Sequence, residues 1–275
     1  MQGPVPGADG AEIPVLFLDD TLVAVSKPPG LLVHRTRLAQ AQTFLLQRLR
    51  DQLGRRLFAV HRLDRPTSGV MLFALTQAAA RHLSRQFEAQ RVAKQYLAVV
   101  RGWPEPEGCI DYALADAEAS AAGRRALRPA LTSYRRLATV ELPVAVGRYP
   151  TSRYALLGVQ PHTGRRHQIR RHLAHIRHPL IGDTTHGEGR HNRFFRERFG
   201  VERLLLHARE IGFAHPRGGR MAVSAPLDTD WGRVLDGLGW ADSAEPARDK
   251  EPLCRRQSPR TSSSTSAAWP LGLIS

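Results

Sequence analysis

The residues most suited to chemistry lie in one fifteen-residue string: His61-Arg62-Leu63-Asp64-Arg65-Pro66-Thr67-Ser68-Gly69-Val70-Met71-Leu72-Phe73-Ala74-Leu75. One carboxylate, Asp64, stands between two guanidinium groups, Arg62 and Arg65, and a Pro-Thr-Ser-Gly bend follows. The apolar run at 57–60 leads in and the run at 70–75 leads out. Runs of that length read as buried strands, and Pro66 with Gly69 reads as a bend between them. A lone carboxylate is thereby held on a stiff loop among cations at the edge of a sheet, where a catalytic aspartate would be placed. The plainer alternative is a turn-capping aspartate paired with Arg62 or Arg65 on the surface. For an isolated loop aspartate that alternative would be the better one.

Further stretches carry suitable groups. Lys27-Pro28-Pro29-Gly30 ends a strand in a loop stiffened by two prolines, with Gly30 able to take a positive φ, and reads as packed support beside the Asp64 loop. The stretch 93–102 alternates well enough to be a strand and carries Tyr96, which on its own reads as a core tyrosine with a hydrogen-bonded hydroxyl. In His162-Thr163-Gly164-Arg165-Arg166-His167-Gln168-Ile169-Arg170-Arg171-His172-Leu173, Gly164 marks a strand-to-helix turn. Ile169, Leu173 and Ile176 then share one helical face. Arg166 and Arg170, one turn apart near the start of that helix, join its amides in a candidate anion site. His167, His172, His175 and His178 invite a metal reading, but their spacing does not gather three on one face beside an acid, so hydrogen-bonded histidines and no metal are expected. The basic, aromatic stretch 186–198, with Asn192, Arg193, Phe194 and Phe195, either stacks bases and holds phosphates or pins itself to the core through its phenylalanines.

The elements that must position these groups follow from periodicity. Strands are expected at 15–18 and 22–25, a helix at 43–53 capped by Thr43, and a second helix after Thr76 with the stripe Ala80, Leu83, Phe87. Its outward Arg81, Arg85 and Gln86 read equally well as a solvated face or as an RNA contact. Residues 104–130 read as a surface excursion. Strands resume at 131–137 and 153–160, residues 203–208 and 221–224 close the sheet, and 231–238 forms a last helix. One domain over 13–240 is expected, with an unstructured lead-in at 1–12 and an unstructured tail at 241–275.

Composition narrows the partner. There are 40 Lys+Arg against 25 Asp+Glu, a net charge of +15, and arginine supplies nearly all of the excess. Guanidinium suits planar, bidentate phosphate contacts, so a polyanion is the simplest partner. Neither an amphipathic basic helix nor a lipidation motif supports a membrane surface. Two distant cysteines, Cys109 and Cys254, give neither a disulfide framework nor a thiolate metal cluster, so a reducing compartment and cytoplasmic localisation are expected. Neither a P-loop nor a dinucleotide fingerprint occurs, and no cofactor is expected.

His-Arg-Leu-Asp followed by Thr-Ser-Gly resembles the catalytic motif of the RluA-type pseudouridine synthases. Val-Ser-Lys-Pro-Pro-Gly-Leu-Leu-Val-His, the Tyr96 strand and the Gln168-Ile169-Arg170 string resemble three further motifs of that family. The resemblance implies an α/β (α+β) fold, a mixed, largely antiparallel sheet with flanking helices and a central catalytic cleft. It implies Asp64 as the essential residue, acting as nucleophile or base on the sugar. It also implies Tyr96 against the target uridine, Arg170 paired with the aspartate, and Arg62 filling the space a flipped base leaves. Arg65, Arg166, Arg171 and Arg193 would hold RNA phosphates. Two departures, Arg65-Pro66 after the aspartate and Arg171 after Gln-Ile-Arg, together with Gly147-Arg148-Tyr149-Pro150 and the segment around Asn192-Arg193, resemble the TruC branch, which modifies uridine 65 in the T stem of tRNA. A monomer acting on tRNA is expected, with ribosomal RNA as the alternative substrate. A base-removing glycosylase and a non-catalytic RNA chaperone are the competing classes. The glycosylase would release free base, and the chaperone has no need of an acid in a basic cleft.

Overall fold

The computed structural model of the chain describes residues 12–34, 44–115 and 126–243. Strands β1 (Val15–Leu18) and β2 (Leu22–Lys27) form a hairpin whose turn is held by Asp19, which accepts from the Thr21 and Leu22 amides at 2.7 and 2.9 Å. Helix α1 (Leu45–Leu53) follows, then β3 (Phe58–Ala59), β4 (Ser68–Ala74) and α2 (Gln77–Glu88). Next come β5 (Ala93–Arg101), β6 (Glu107–Asp111), β7 (Leu114–Ala115), β8 (Leu127–Arg128), β9 (Leu131–Leu142) and β10 (Ser152–Pro161). Helices α3 (Gln168–His175) and α4 (Gly189–Phe199), strands β11 (Leu206–Ala214) and β12 (Arg220–Ser224), and helix α5 (Thr229–Gly237) complete the order.

Ten strands make one sheet in the order β1-β2-β4-β11-β5-β10-β9-β6, with β12 on β11 and β3 on β4. Every pairing is antiparallel except β4 with β11, where His207 faces Ser68 and Ala208 faces Gly69. The mixed, largely antiparallel α+β architecture expected from sequence is therefore present. Alternation along β5 shows how the sheet is covered. Leu97 and Val99 join the cluster of Phe195, Trp231 and Val234 from α4 and α5, while Ala98 and Val100 join that of Ile169 and Leu173 from α3. The α1 and α2 stripes, through Leu45, Leu49 and Leu83, cover β2 and β4.

Several boundaries differ from the sequence reading for identifiable reasons. The run at 57–60 pairs only at Phe58 and Ala59, because the next donor on β4, the Leu72 amide, goes to the His61 ring at 2.9 Å. The excursion at 104–130 contributes an edge strand, β6, in register with β9. Helix α1 starts from Phe44 without a side-chain cap, and the expected cap Thr43 lies outside the described residues, as do 1–11 and 244–275. Thr76 caps α2 as expected, accepting from the Ala79 amide at 3.1 Å. Cys109 lies in β6, and Cys254 lies outside the described residues. No helix among the described residues is long and apolar enough to cross a membrane.

The loop at 61–67 is fixed from three sides. Its turn closes where the Thr67 amide donates to the Asp64 carbonyl at 3.1 Å. Lys27, fully buried, donates to the carbonyls of Pro28 and Arg65 at 2.8 and 3.1 Å. From the C-terminal third of the chain, Arg203 donates to the Ser68 hydroxyl, and His207 Nδ1 lies 2.8 Å from the same oxygen. Gly69 then takes φ +112, and a Cβ there would stand 2.2 Å from the Ala208 carbonyl oxygen.

Two expectations follow. Gly69→Ala should lower Tm by roughly 5–15 °C, from left-handed strain plus overpacking of about 2–4 kcal/mol. An unchanged melting curve would mean that β4 and β11 separate easily there. The second concerns Lys27, whose pKa is pushed down to about 7 by burial and by the charges of Arg203 and Arg65, against the opposing pull of Asp64. In the unfolded chain it returns to about 10.4, so between those values the unfolded state binds more protons and stability rises with pH. Urea unfolding from pH 7 to 9.5 should show that rise, with Lys94, pushed down to about 8 by burial, adding to its upper part. Lys27→Met should flatten the lower part. A slope unaffected by that substitution would contradict the assignment.

Candidate active site

Asp64 leaves the turn with its side chain 21% exposed, open enough for a ligand to reach. Its Oδ2 lies 3.5 Å from Nη1 of Arg170, in the first turn of α3. Arg170 is only 4% exposed, and its strongest partner is a different carboxylate. Nε and Nη2 donate to the two oxygens of Asp183 at 2.7 and 2.8 Å, the fork-on-fork geometry that arginine alone provides. The expectation that Arg170 pairs with Asp64 thus holds as a contact but not as its main bond. Burial works against the Arg170 charge, yet the bonds to Asp183 and the charges of Asp183 and Asp64 outweigh it and raise its pKa. Asp183 is opposed by the same burial, but Arg170 and the amides of His186 and Thr185 hold its carboxyl below the usual range.

The contacts close into a ring. His186, whose amide donates to Asp183, places its Nε2 at 3.1 Å from Nδ1 of His167, and Nε2 of His167 lies 4.0 Å from Asp64 Oδ1. His167 sits at φ +53, a left-handed conformation uncommon for a residue with a side chain, and it starts α3 without a side-chain cap. Burial, ahead of the surrounding charges, lowers the pKa of both histidines and favours neutral rings. Asp183, His167 and His186 were not assigned to the site by sequence reasoning. The available signal was a Gly-Asp turn whose aspartate lies thirteen residues beyond Arg170, and only the folded loop shows what it holds.

Tyr96 faces this ring from β5. Its hydroxyl has no hydrogen-bond partner in the protein among the described residues, contrary to the core reading. Burial first and the charge of Asp64 second raise its pKa, so the phenol is protonated. Lys94, two residues earlier on the same face, donates to the Thr163 carbonyl at 3.1 Å. His61 is spent on structure: its ring accepts from Leu72 and stacks on Phe87 at 4.6 Å between centroids.

The remaining arginines divide. Arg62, beside Asp64, is exposed and its guanidinium makes no hydrogen bond or ion pair among the described residues, and the same is true of the guanidinium groups of Arg166 and Arg193. Arg166 precedes α3 instead of lying within it. Arg65 donates from Nε to the Gly30 carbonyl at 2.9 Å, and Arg171 donates to the Ala115 carbonyl at 3.0 Å, so both anchor loops. In the 186–198 stretch, Phe195 is buried with Phe199 against Tyr154, so the core-pinning reading holds for Phe195. Asn192 clamps the Gly182-Asp183 turn, accepting from the Gly182 amide and donating to the Asp183 carbonyl. Of the four histidines that invited a metal reading, His167 belongs to the ring and the other three are engaged elsewhere. His172 bonds Thr132 and the Tyr112 carbonyl, His175 stacks on Tyr112, and His178 bonds the Arg101 carbonyl.

Comparison with known proteins supplies the context for this geometry. The chain is 48% identical over 236 residues to tRNA pseudouridine synthase C of Vibrio cholerae, covering 83% of this chain and 97% of that protein. It is 46% identical over 237 residues to the protein of the same name from Yersinia pestis, covering 84% and 92%. Among solved structures, Human RNA Pseudouridylate Synthase Domain Containing 1 superposes with a TM-score of 0.62 at 25% identity, covering 88% of this chain and all of that one. Human RNA Pseudouridylate Synthase Domain Containing 4 superposes with a TM-score of 0.64 at 24% identity, covering 82% and 93%, a likeness of fold. Residues 21–175, which hold Asp64, Tyr96 and Arg170, match the family described as RNA pseudouridylate synthase, and to that family the chain belongs.

Proposed function

We propose that this protein is a tRNA pseudouridine synthase that isomerises uridine 65, in the T stem, with Asp64 as its reacting carboxylate. The observation that carries the reading is the partly open Asp64 carboxylate held 3.5 Å from a buried arginine, in a chain nearly half identical to tRNA pseudouridine synthases along most of its length. The reaction breaks the bond between N1 of uracil and C1′ of the ribose, turns the base, and joins C5 to C1′. The hydrogen leaving C5 is balanced by one gained at N1, so nothing is oxidised and no water is consumed.

Each residue has a task in that sequence. Asp64 acts on the sugar through its exposed edge. Arg170 holds the carboxylate from behind, and Asp183 holds Arg170. Tyr96, protonated and unpartnered, closes over the face of the uracil and serves the proton exchange at C5. A paired uridine must leave its stack to reach Asp64, at a cost of a few kcal/mol. Arg62, exposed and free beside the aspartate, stacks where the base had been. Arg166 and Arg193 offer unpaired charge to phosphates, which fixes register without chemistry.

Mapping pseudouridine in unmodified tRNA incubated with the purified protein should show one new site, at position 65. Modification confined to ribosomal RNA would sink the tRNA assignment and leave the family assignment standing. Asp64→Asn keeps the shape of the loop and removes the reacting oxygen, so it should abolish isomerisation while tRNA binding stays within a few-fold. Normal turnover by that variant would remove Asp64 from the reaction.

Asp183→Asn separates positioning from chemistry. It retains an acceptor for the loop amides but leaves Arg170 without its ionised partner. Turnover should fall by roughly tenfold or more with a small change in KM, as for other supports of a reacting group. Asp183→Glu should recover part of the loss. A variant with wild-type turnover would show that the ring around Arg170 does not govern catalysis.

A further inference from the structure

A second basic feature lies outside the ring. Helix α2 presents Arg81 and Arg85 one turn apart, and Arg91 follows in the turn into β5. With His82 and Gln86 they line a groove of about 340 Å³. A second groove, of about 390 Å³, begins at the same Arg91 and runs past Lys94 toward the end of β10. No carboxylate lines either groove. Arg81, Arg85 and Arg91 are exposed, and among the described residues none makes an ion pair or gives its guanidinium to a hydrogen bond.

The floor is rigid where the rim is free. Gln86, buried, clamps α2 to the end of β11 by donating to the Ala214 carbonyl and accepting from the Ala214 amide, both at 2.8 Å. The His82 ring lies 3.3 Å from the same carbonyl oxygen. The three arginines thus rise from a fixed floor and, among the described residues, make no ion pair, even with the exposed Glu88 that stands at i+3 from Arg85 on the same helix.

Strand geometry gives the reach. Arg91 precedes Tyr96 by five residues. At about 3.3 Å per extended residue it stands at most roughly 17 Å from the tyrosine, about five base-pair steps of rise along a double helix. Lys94 marks the way between them, on the face of β5 that carries Tyr96. We propose that the Arg81–Arg85–Arg91 groove is a phosphate-binding track for the tRNA stem that flanks the modified uridine, holding the backbone several nucleotides away while Asp64 acts. This rests on the tRNA reading and adds an interaction surface that neither Asp64 nor its ring requires.

The test is the triple variant Arg81→Gln, Arg85→Gln, Arg91→Gln in the full chain, with an unmodified tRNA transcript as the probe and Tm checked for an intact fold. Binding at 0.1 M salt should weaken by roughly tenfold or more, and the slope of log affinity against log salt should fall by about 2–3, one phosphate per arginine. KM should rise while kcat stays the same, because none of the three touches the reacting groups. The comparison variant removes the same charge at Arg50, Arg153 and Arg233, each already paired with a carboxylate. Unchanged affinity and slope in the groove variant, or an equal loss in the comparison variant, would overturn the track while wild-type turnover on tRNA left the parent reading intact. Wild-type protein that binds tRNA without modifying it would overturn the parent reading instead, and the tRNA stem as occupant with it.

Discussion

The site depends on one buried guanidinium shared by two carboxylates. An arginine as enclosed as Arg170 is tolerable only if its charge is matched and its donors are used. Asp183 does nearly all of that work, with both oxygens on the Arg170 fork and the Thr185 and His186 amides on Oδ1. The cost of desolvation is therefore met between two residues that never need to react. Asp64 receives what is left, the Nη1 edge at 3.5 Å from its Oδ2, while its Oδ1 lies 4.0 Å from His167 Nε2. A lysine at 170 could not divide itself in this way, because a point charge lacks separate edges for two partners. The pairing also separates the two acids: Asp183 is spent on Arg170 and its own loop amides, and Asp64 stays partly open.

Two distant loops must meet for that to happen, and the segment at 203–208 brings them together. The Arg203 guanidinium reaches the Ser68 hydroxyl behind the Asp64 turn, and Ala208 packs so closely on Gly69 that no side chain fits there. On the other side, a Cβ on Gly182 would come within 1.9 Å of the Arg203 carbonyl oxygen, which fixes the start of the Asp183 loop. The same strand region thus sets the depth of both carboxylates, one through each glycine. This is where the sheet makes its single parallel pairing, β4 with β11. The parallel step lets a loop from the first third of the chain and a loop from the last third end side by side.

Much of this was legible in the sequence where the signal was local. The Thr76 cap, the strand at Tyr96 and the helix starting near Gly164 each follow from a few neighbouring residues, and each is present. The Asp64 string was legible because an acid among arginines on a short, stiff loop is costly and local. The ring around Arg170 was not. Asp183 looks like an ordinary turn aspartate until the fold sets it under a helix thirteen residues earlier, and His186 and His167 look like surface histidines. The β6 edge strand was missed for a related reason: its partner β9 lies beyond the stretch at 116–125, so pairing is set by register rather than by the weak alternation of Glu107 to Asp111.

The choice of cation ties site and surface together. Of 40 basic residues only three are lysines, and the two described ones, Lys27 and Lys94, lie against the site with pKa values lowered to about 7 and about 8. Lys27 shows why: after burial, the neighbouring charges of Arg203 and Arg65 push its proton off. Burial alone lowers Lys94, and at Lys27 the two arginine charges add to burial, whereas guanidinium groups keep their charge under both. The lysine amines can therefore serve as short, compact donors to the Arg65 and Thr163 carbonyls, holding backbone without adding a full charge beside Asp64. Arg62, Arg81, Arg85, Arg91 and Arg166 are exposed and, among the described residues, form no ion pair. Composition that reads as a bulk excess of charge is, residue by residue, a division between cations that hold the loops around Asp64 and cations left exposed without a carboxylate partner.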